Sequence, residues 1–165
     1  DIRIWCENTG KPIYVPMGTN LKDMEGSQYP ALAAIVDNKL KSLDYKLINP
    51  HNIRFIGYDH PDGRRTYIRS LCFVLQNVVR EMFPDKILAI DYSLPSGLYC
   101  EVRELDTMED GRPKPCFLTD DTLQEIVSRM RGMIEADLPF GKKMMNLEEC
   151  ERIFAGNNRH LAAYP

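Results

Sequence analysis

The sequence predicts an α+β fold with two modules, a β-grasp module over residues 1–60 and a second α+β module over residues 61–165. Short runs of alternating polar and apolar residues, a pattern typical of strands, recur through the first module. An amphipathic helix followed by two strand-like runs opens the second. Between them, turn formers and charges cluster in the segment Tyr58-Asp-His-Pro-Asp-Gly-Arg-Arg, which favours a domain boundary there.

The first module is predicted to contain a hairpin, a short helix and further strands. The hairpin turns at residues 8–11, Thr19 or Asn20 offers a cap for the short helix, and residues 37–39 form a second turn. The strand-like runs are residues 1–6, 12–15, 31–36 and 52–57, with a brief connection at residues 43–47. This order of elements is typical of a β-grasp fold.

The second module is organised around a helix that we predict to begin at Arg64 and to end before Pro84. Apolar residues recur in it at steps of three and four, so they share one face for burial against a sheet. They are Ile68, Leu71, Cys72, Leu75, Val78, Val79 and Met82. A strand is predicted at residues 86–92, a serine–glycine turn and a returning strand within residues 94–102, and an exposed loop at residues 104–115.

Two further helices complete the prediction. Thr119 is a suitable N-cap for the first, which has an apolar stripe and is expected to end near Leu138. Asn146 is a suitable cap for the second, with Glu149 three positions on as its capping-box partner, and this helix is expected to stop at Gly156.

Composition limits the class of protein. The hydrophobic fraction of 44% suffices for a core, and no run of about 18 apolar residues is present to span a bilayer. We therefore expect a cytoplasmic protein without membrane contact. A net charge of -3 argues against coating nucleic acid through the overall field but leaves room for a local basic patch. The chain starts at Asp1 without a methionine, so we expect it to be part of a longer protein.

Several short motifs resemble a known family. Those in residues 1–60 resemble the TGS domain, a β-grasp module at the start of threonyl-tRNA synthetases and some GTPases. They are Val15-Pro-Met-Gly-Thr-Asn-Leu, Ala34-Ile-Val-Asp-Asn-Lys-Leu and Leu43-Asp. Those in residues 61–165 resemble the second additional, editing-type domain of threonyl-tRNA synthetase. They are Glu81-Met-Phe-Pro, Ser96-Gly-Leu-Tyr, Leu118-Thr-Asp-Asp, Asp137-Leu-Pro-Phe and Glu148-Glu-Cys-Glu-Arg-Ile-Phe.

One departure from that family bears directly on catalysis. The resemblance implies a His-x-x-x-His pair on the first long helix, belonging to the site that hydrolyses mischarged tRNA. Arg69 and Phe73 occupy the corresponding positions. Arginine stays protonated and phenylalanine has no lone pair, so neither can act as a general base or a metal ligand. We therefore predict no catalytic residue and no metal site in this segment.

A second resemblance concerns the longer protein. The pairing of the two modules with a helix that reads Arg65-Thr-Tyr-Ile-Arg-Ser-Leu-Cys-Phe-Val-Leu resembles bacterial uridine kinase-like proteins of the phosphoribulokinase/uridine kinase family. This implies a non-catalytic, regulatory front end of an ATP-dependent nucleoside kinase, a transferase whose catalytic domain lies after residue 165 and is its partner. No Gly-x-x-x-x-Gly-Lys-Ser/Thr loop occurs here, so ATP and magnesium are expected only in that downstream domain.

Two alternatives to the kinase interpretation stay open. The chain can be the N-terminal, tRNA-binding or editing-like region of a threonyl-tRNA synthetase-related protein. It can also be a structural dimerisation module, which predicts a homo-oligomer.

The candidate ligand site is a cleft between the long helix and the two strands after it. The side chains proposed to bind a nucleotide or tRNA there are Arg65, Tyr67, Arg69, Asp91 and Tyr99. Arginine donates hydrogen bonds in a planar fork suited to phosphate, and tyrosine can stack on a base. The competing interpretation, which we favour for the arginines, is a solvated helix start with salt bridges to nearby acids, because a helix N-terminus does not attract cations.

Overall fold

The computed structural model describes residues 1–24, 30–95, 97–109 and 112–154 of the chain. It has the predicted α+β class and divides into two compact units, Asp1–Cys72 and Phe73–Pro165. Among the described residues, no helix is both long enough and apolar enough to cross a bilayer.

The first unit contains seven strands and a short 3₁₀ helix among its described residues. The strands are β1 (Ile2–Cys6), β2 (Lys11–Val15), β3 (Thr19–Asn20), β4 (Ala33–Val36), β5 (Lys39–Lys41), β6 (Lys46–Leu47) and β7 (His51–Ile56), and the 3₁₀ helix is Leu21–Asp23. Five strands form a sheet with the order β2-β1-β7-β4-β5, in which β1 pairs antiparallel with β2 and parallel with β7, and β4 pairs antiparallel with both β7 and β5. Strands β3 and β6 form a separate two-stranded sheet. This is the β-grasp arrangement that the element order predicted.

Alternation along β1 decides which face of this sheet is buried. Ile4 and Cys6 are fully buried, whereas Arg3 and Trp5 are on the opposite face, because successive side chains of a strand point to opposite sides. The buried side chains form one apolar core that also contains Leu21, Leu47 and Ile53 among its members. The sheet therefore keeps one face for the core and leaves the other to solvent.

The turn at residues 37–39 forms as predicted. Asp37 and Asn38 both have positive φ, 46° and 65°, and connect β4 to β5 as a hairpin in which Val36 pairs with Lys39. Aspartate and asparagine tolerate this left-handed backbone better than most residues. The predicted short helix is reduced to the 3₁₀ turn after Asn20, and residues 25–29 lie outside the described part of the chain.

The long helix, α1, spans Pro61–Met82 and contributes to both units. It begins at Pro61 rather than at Arg64, because a proline at the first helical position has the right φ and its missing N–H would have had no partner there. The backbone N–H of Asp62 donates to Nδ1 of His60 at 3.2 Å, so the His60 ring caps the helix start. The helix ends at Met82, ahead of Pro84, as predicted.

The second unit packs helices on a three-stranded antiparallel sheet. Its elements after α1 are β8 (Lys86–Leu94), β9 (Gly97–Glu109), β10 (Arg112–Pro115), α2 (Asp120–Glu135) and α3 (Leu147–Phe154), and the strand order is β10-β9-β8. Val78 and Val79 of α1, Val102 of β9 and Ile126 of α2 form the buried core. The apolar stripe recognised in α1 is therefore used in its second half to cover this sheet.

The prediction of an exposed loop over residues 104–115 is wrong. Strand β9 continues through Glu109 and pairs with β10, with Glu109 opposite Arg112. The Asp-Gly dipeptide at positions 110 and 111 is a strong sequence signal for a tight hairpin, and the surrounding acids and prolines obscured it. Pro113 and Pro115 are compatible with β10 because it is an edge strand, where a missing N–H costs no ladder hydrogen bond.

The caps predicted for the last two helices form, whereas Asn20, at the start of the 3₁₀ turn, makes no side-chain cap hydrogen bond. The hydroxyl of Thr119 accepts from the N–H of Thr122 at 3.3 Å, and Oδ1 of Asn146 accepts from the N–H of Glu149 at 2.8 Å. Helix α2 ends at Glu135, slightly before the position expected from Leu138. The predicted stop of α3 at Gly156 lies outside the described residues.

Candidate nucleic-acid interface

An exposed group of arginines and tyrosines surrounds the start of α1 in the first unit. The guanidinium of Arg64 lies over the ring of Tyr58, 5.3 Å from its centroid, and Tyr58 meets Tyr67 edge to face with centroids 5.2 Å apart. Arg69 lies further along the helix, is exposed, and has no ion-pair partner among the described residues. We call Tyr58, Arg64, Tyr67 and Arg69 the α1 surface. It presents Arg64 beside two aromatic rings, and Arg69, five residues further along the helix, adds a second unneutralised cation on another side of α1.

Arg65 differs from its two arginine neighbours on α1. Its guanidinium forms an ion pair with Asp62 one turn earlier, and this hydrogen bond holds the pKa of the Asp62 carboxyl below its usual value. Its charge is thus largely neutralised by the helix itself. Arg65 therefore fits the interpretation of a helix start with salt bridges to nearby acids, and not that of an arginine free to bind phosphate.

Asp91 and Tyr99, the other two predicted site residues, lie on neighbouring strands of the second unit and belong to one polar network. The rings of Tyr92 and Tyr99 stack with centroids 4.8 Å apart. The Tyr99 hydroxyl donates to Oε1 of Glu101 at 2.6 Å, and Arg103 donates to Oε2 of Glu101 at 2.9 Å and pairs with Asp91. Arg103 therefore joins the two carboxylates on one face of the sheet.

The charges in this network favour its present hydrogen bonds over an added anion. The Tyr99 hydroxyl and then Arg103 lower the pKa of Glu101, and the carboxylate of Glu101 in turn raises the pKa of Tyr99. Two carboxylates face one guanidinium, so the network carries net negative charge. A phosphate would be repelled here, whereas Arg64 and Arg69 on the α1 surface would attract one.

The structure thus sorts the five predicted residues into two groups. Arg65, Tyr67 and Arg69 are all on α1 in the first unit, where Arg65 and Arg69 share one helix face and Tyr67 is on another, and Asp91 and Tyr99 share the Arg103 network in the second.

The sequence did not point to a pocket on the outer face of the first sheet. It has a volume of about 470 Å³, and its lining residues are Arg3, Trp5, Asp37, Pro50, His51 and Asn52. The alternation in β1 does place Arg3 and Trp5 together on the outer face, which is the one signal available in the sequence. Asp37 and His51 reach the same place only through the pairing of β4 and β1 with β7.

Asp37 and His51 form the polar wall of this pocket. Nδ1 of His51 lies 2.5 Å from Oδ2 of Asp37, and the N–H of Asn52 donates to Oδ1 of Asp37 at 2.9 Å. The backbone hydrogen bond, followed by the one to His51, lowers the pKa of Asp37. Nε2 of His51 is buried and has no hydrogen-bond partner among the described residues.

The helix positions where the resemblance implied histidines have no catalytic geometry. Phe73 is 60% exposed, and its ring lies 5.5 Å from that of Phe140. His51 is engaged with Asp37, His60 caps α1, and His160 lies outside the described residues. In the part of the chain that the structure describes, no three His, Cys, Asp or Glu side chains are grouped so that they could hold a metal ion.

Comparison with known proteins supports the resemblance to threonyl-tRNA synthetase. No family model matches the chain. It is 27% identical over 161 residues to the threonine–tRNA ligase of Thermus thermophilus, covering 90% of this chain and 23% of that protein. It is 26% identical over 125 residues to the ligase of Symbiobacterium thermophilum, covering 76% of this chain and 18% of that protein. It is 24% identical over 153 residues to the ligase of Rubrobacter xylanophilus, covering 90% of this chain and 22% of that protein.

These similarities have two consequences. The chain spans less than a quarter of the length of each of these three relatives. The TGS-like and synthetase-like interpretation of the sequence is supported along most of the chain, whereas none of the three supports a uridine kinase parent.

Proposed function

We propose that this chain is the non-catalytic, tRNA-binding N-terminal region of a protein related to threonyl-tRNA synthetase. The observation that carries the proposal is the similarity to threonine–tRNA ligases over 90% of the chain. Those relatives are named as ligases of tRNA, so binding of the same ligand is the simplest reason why this chain and the ligases share a similar segment. The alternative considered for the sequence thereby becomes the main hypothesis.

Binding without hydrolysis follows from the side chains on α1. Arg69 and Phe73 stand where the editing resemblance implies histidines, and neither offers a lone pair for base catalysis or metal binding. A guanidinium at position 69 instead adds a phosphate-binding group. Arginine and phenylalanine in place of the two histidines therefore remove hydrolysis but are compatible with retained affinity for RNA.

The α1 surface is where we place the phosphate contacts. Arg64 and Arg69 are exposed and unpaired among the described residues, and Tyr58 orients the first of them. Guanidinium groups bind phosphate bidentately, and the tyrosine rings can stack on a sugar or base. The chain has a net charge of -3, so affinity must come from such a local group rather than from the overall field.

The test is tRNA binding as a function of salt. Fluorescence anisotropy with labelled tRNA would compare the 165-residue chain with the double variant Arg64→Ala/Arg69→Ala. We expect about tenfold weaker binding at low salt, and a slope of log K against log salt reduced by about two, because each lost phosphate contact releases about one counterion fewer. The matched control Arg129→Ala removes an exposed arginine that is already paired with Glu125 and should leave both quantities unchanged.

Two results would contradict the proposal. One is the absence of measurable tRNA binding at low salt. The other is an equal loss of affinity in the Arg64→Ala/Arg69→Ala variant and the Arg129→Ala control, which would indicate non-specific charge attraction.

The kinase interpretation takes second place, because each relative named above is a ligase. It proposes that ATP and magnesium act in a domain beyond residue 165 and that this region regulates that domain. ATP-dependent phosphorylation of uridine by the longer protein would support it, and no nucleoside phosphorylation would remove it.

A further inference from the structure

The outer face of the first sheet has the composition of a base-stacking platform. Trp5 on β1 is 38% exposed and Tyr14 on β2 is 65% exposed, so both rings present surface to solvent. Tyr14 lies opposite Arg3, and Trp5 lies opposite Asn52. Two rings, a guanidinium and an amide thus stand side by side on one solvent-facing sheet surface.

The pocket beside Trp5 has the size and polarity of a small-ligand site. Its volume of about 470 Å³ lies within the range of roughly 300–1,000 Å³ usual for such sites. Arg3 supplies a positive charge at its wall, and Asp37, His51 and Asn52 supply hydrogen-bonding groups. The N–H of Asn52 and the His51 ring hold Asp37 in place from two sides. Because the carboxylate is already fixed, binding a ligand there costs little side-chain entropy.

We propose that this pocket binds an unpaired nucleotide of single-stranded RNA, with the base stacked on Trp5, a phosphate on Arg3, and the base edge at Asp37 and Asn52. The proposal rests on the proposed function in taking RNA as the ligand, but it places a second contact on a different surface from α1. Exposed aromatic rings on a sheet, flanked by arginine, are a general way of binding unpaired bases.

Asp37 predicts which bases fit. An ionised carboxylate can only accept hydrogen bonds, so it favours a base edge that carries an exocyclic amino group. Cytosine has such a group and uracil has a carbonyl at the same ring position, while the two rings are nearly equal in size. Oligocytidine should therefore bind more tightly than oligouridine of the same length.

The sole tryptophan of the chain makes the site directly observable. Fluorescence of Trp5 would be followed while oligocytidine of about eight nucleotides is added, a length within the usual site sizes for single strands. We expect saturable quenching, weaker binding of oligouridine, and no quenching by a duplex RNA, whose bases are already stacked. Cytidine monophosphate should bind about tenfold more weakly or worse, because it lacks the neighbouring phosphates.

Variants separate stacking from charge. With labelled oligocytidine, Trp5→Ala should weaken binding about tenfold while Trp5→Phe retains most of it, since base–aromatic stacking contributes about 1–3 kcal/mol per base. Arg3→Ala should weaken binding by a similar factor. Arg54→Ala is the matched control, because Arg54 is on the same sheet but does not line the pocket. Circular dichroism would verify that each variant is folded.

The outcomes distinguish this inference from the proposed function. Unchanged Trp5 fluorescence with oligocytidine, or equal losses in Arg3→Ala and Arg54→Ala, would overturn the nucleotide site even if the α1 arginines bind tRNA. Equal affinity for cytidine monophosphate would overturn RNA as the ligand in favour of a free nucleotide. Saturable Trp5 quenching that is weakened by Arg3→Ala but not by Arg54→Ala would uphold the site even if Arg64 and Arg69 contribute nothing to tRNA binding.

Discussion

Gly63, in the first turn of α1, lies against the carbonyl group of Gly57, so closely that a side chain at position 63 would overlap that oxygen. Gly57 immediately follows β7, and its carbonyl also accepts the N–H of His60 at 3.2 Å. The oxygen is part of the backbone and cannot move away as a side chain could. This contact fixes how the helix leaves the last strand of the first sheet.

Gly63→Ala should therefore destabilise the protein by about 1–3 kcal/mol, the usual cost of forcing an extra methyl group into a packed site. Urea denaturation followed by circular dichroism would measure it. Gly132→Ala is the matched control, because Gly132 is also helical but has open space where its Cβ would be. That change should be neutral or stabilise by up to about 1 kcal/mol, since alanine is the better helix former. Equal effects at the two positions would rule out the overlap with Gly57.

Asn8 extends the first sheet with its side chain. Its amide oxygen accepts the N–H of Phe55 at 2.7 Å, and its amide nitrogen donates to the carbonyl of Phe55 at 3.0 Å, as a neighbouring strand would. Asn8→Ala should cost about 2 kcal/mol, because both backbone groups of a buried residue lose their partner. The stability of Asn8→Asp should lie between those of the native protein and Asn8→Ala, since a carboxylate can accept the N–H of Phe55 but cannot donate to its carbonyl. Thermal unfolding would rank the three proteins, and an aspartate variant as stable as the native protein would contradict the role of the donated bond.

The depressed pKa of Asp37 predicts a pH dependence of stability. Because the folded-state pKa lies below the unfolded value, the ionised carboxylate stabilises the fold at pH values above about 4. This contribution is lost as the pH falls through the folded-state pKa. Asp37→Asn should remove this contribution, so that stability falls less steeply as the pH is lowered. At neutral pH the substitution should cost less than about 1 kcal/mol of stability, because the side chain is half exposed and its charge is screened by solvent.

The measurement for Asp37 is urea unfolding at a series of pH values. Asparagine suits the φ of 46° at this position, so the substitution changes charge without adding backbone strain. A difference between native and variant protein that persists undiminished at the lowest pH would show that the ionised carboxylate is not its source.

The pKa of Tyr99 should report on Glu101. The carboxylate accepts the phenol hydrogen and so favours the protonated phenol, which raises the pKa of Tyr99. Glu101→Gln keeps an acceptor but removes the charge, so the pKa of Tyr99 should fall. NMR titration of the tyrosine ring carbons would follow it, with Glu125→Gln on α2 as a control that leaves Tyr99 unchanged. No change in the Glu101 variant would mean that the hydrogen bond does not set the titration.

Local signals were sufficient wherever neighbours in sequence make the structure. The caps at Thr119 and Asn146 and the turn at Asp37 depend on residues close in sequence, the alternation of β1 is visible in its residue types, and all form as predicted. The hairpin between β9 and β10 shows the limit, because its Asp-Gly signal competed with charges and prolines that are also typical of loops. The start of α1 was misplaced for a related reason, since Pro61 can either break a helix or begin one.

The sequence alone determined the α+β class, the β-grasp element order and the absence of the histidine pair at positions 69 and 73, because these depend on periodicity and residue identity. Only the tertiary structure brought Trp5, Asp37 and His51 to one pocket, and only it placed Arg103 between Asp91 and Glu101. Those sites are made by strands paired across long stretches of chain. Their register is set by burial of the opposite face of each sheet, so no local pattern around the site residues encodes it.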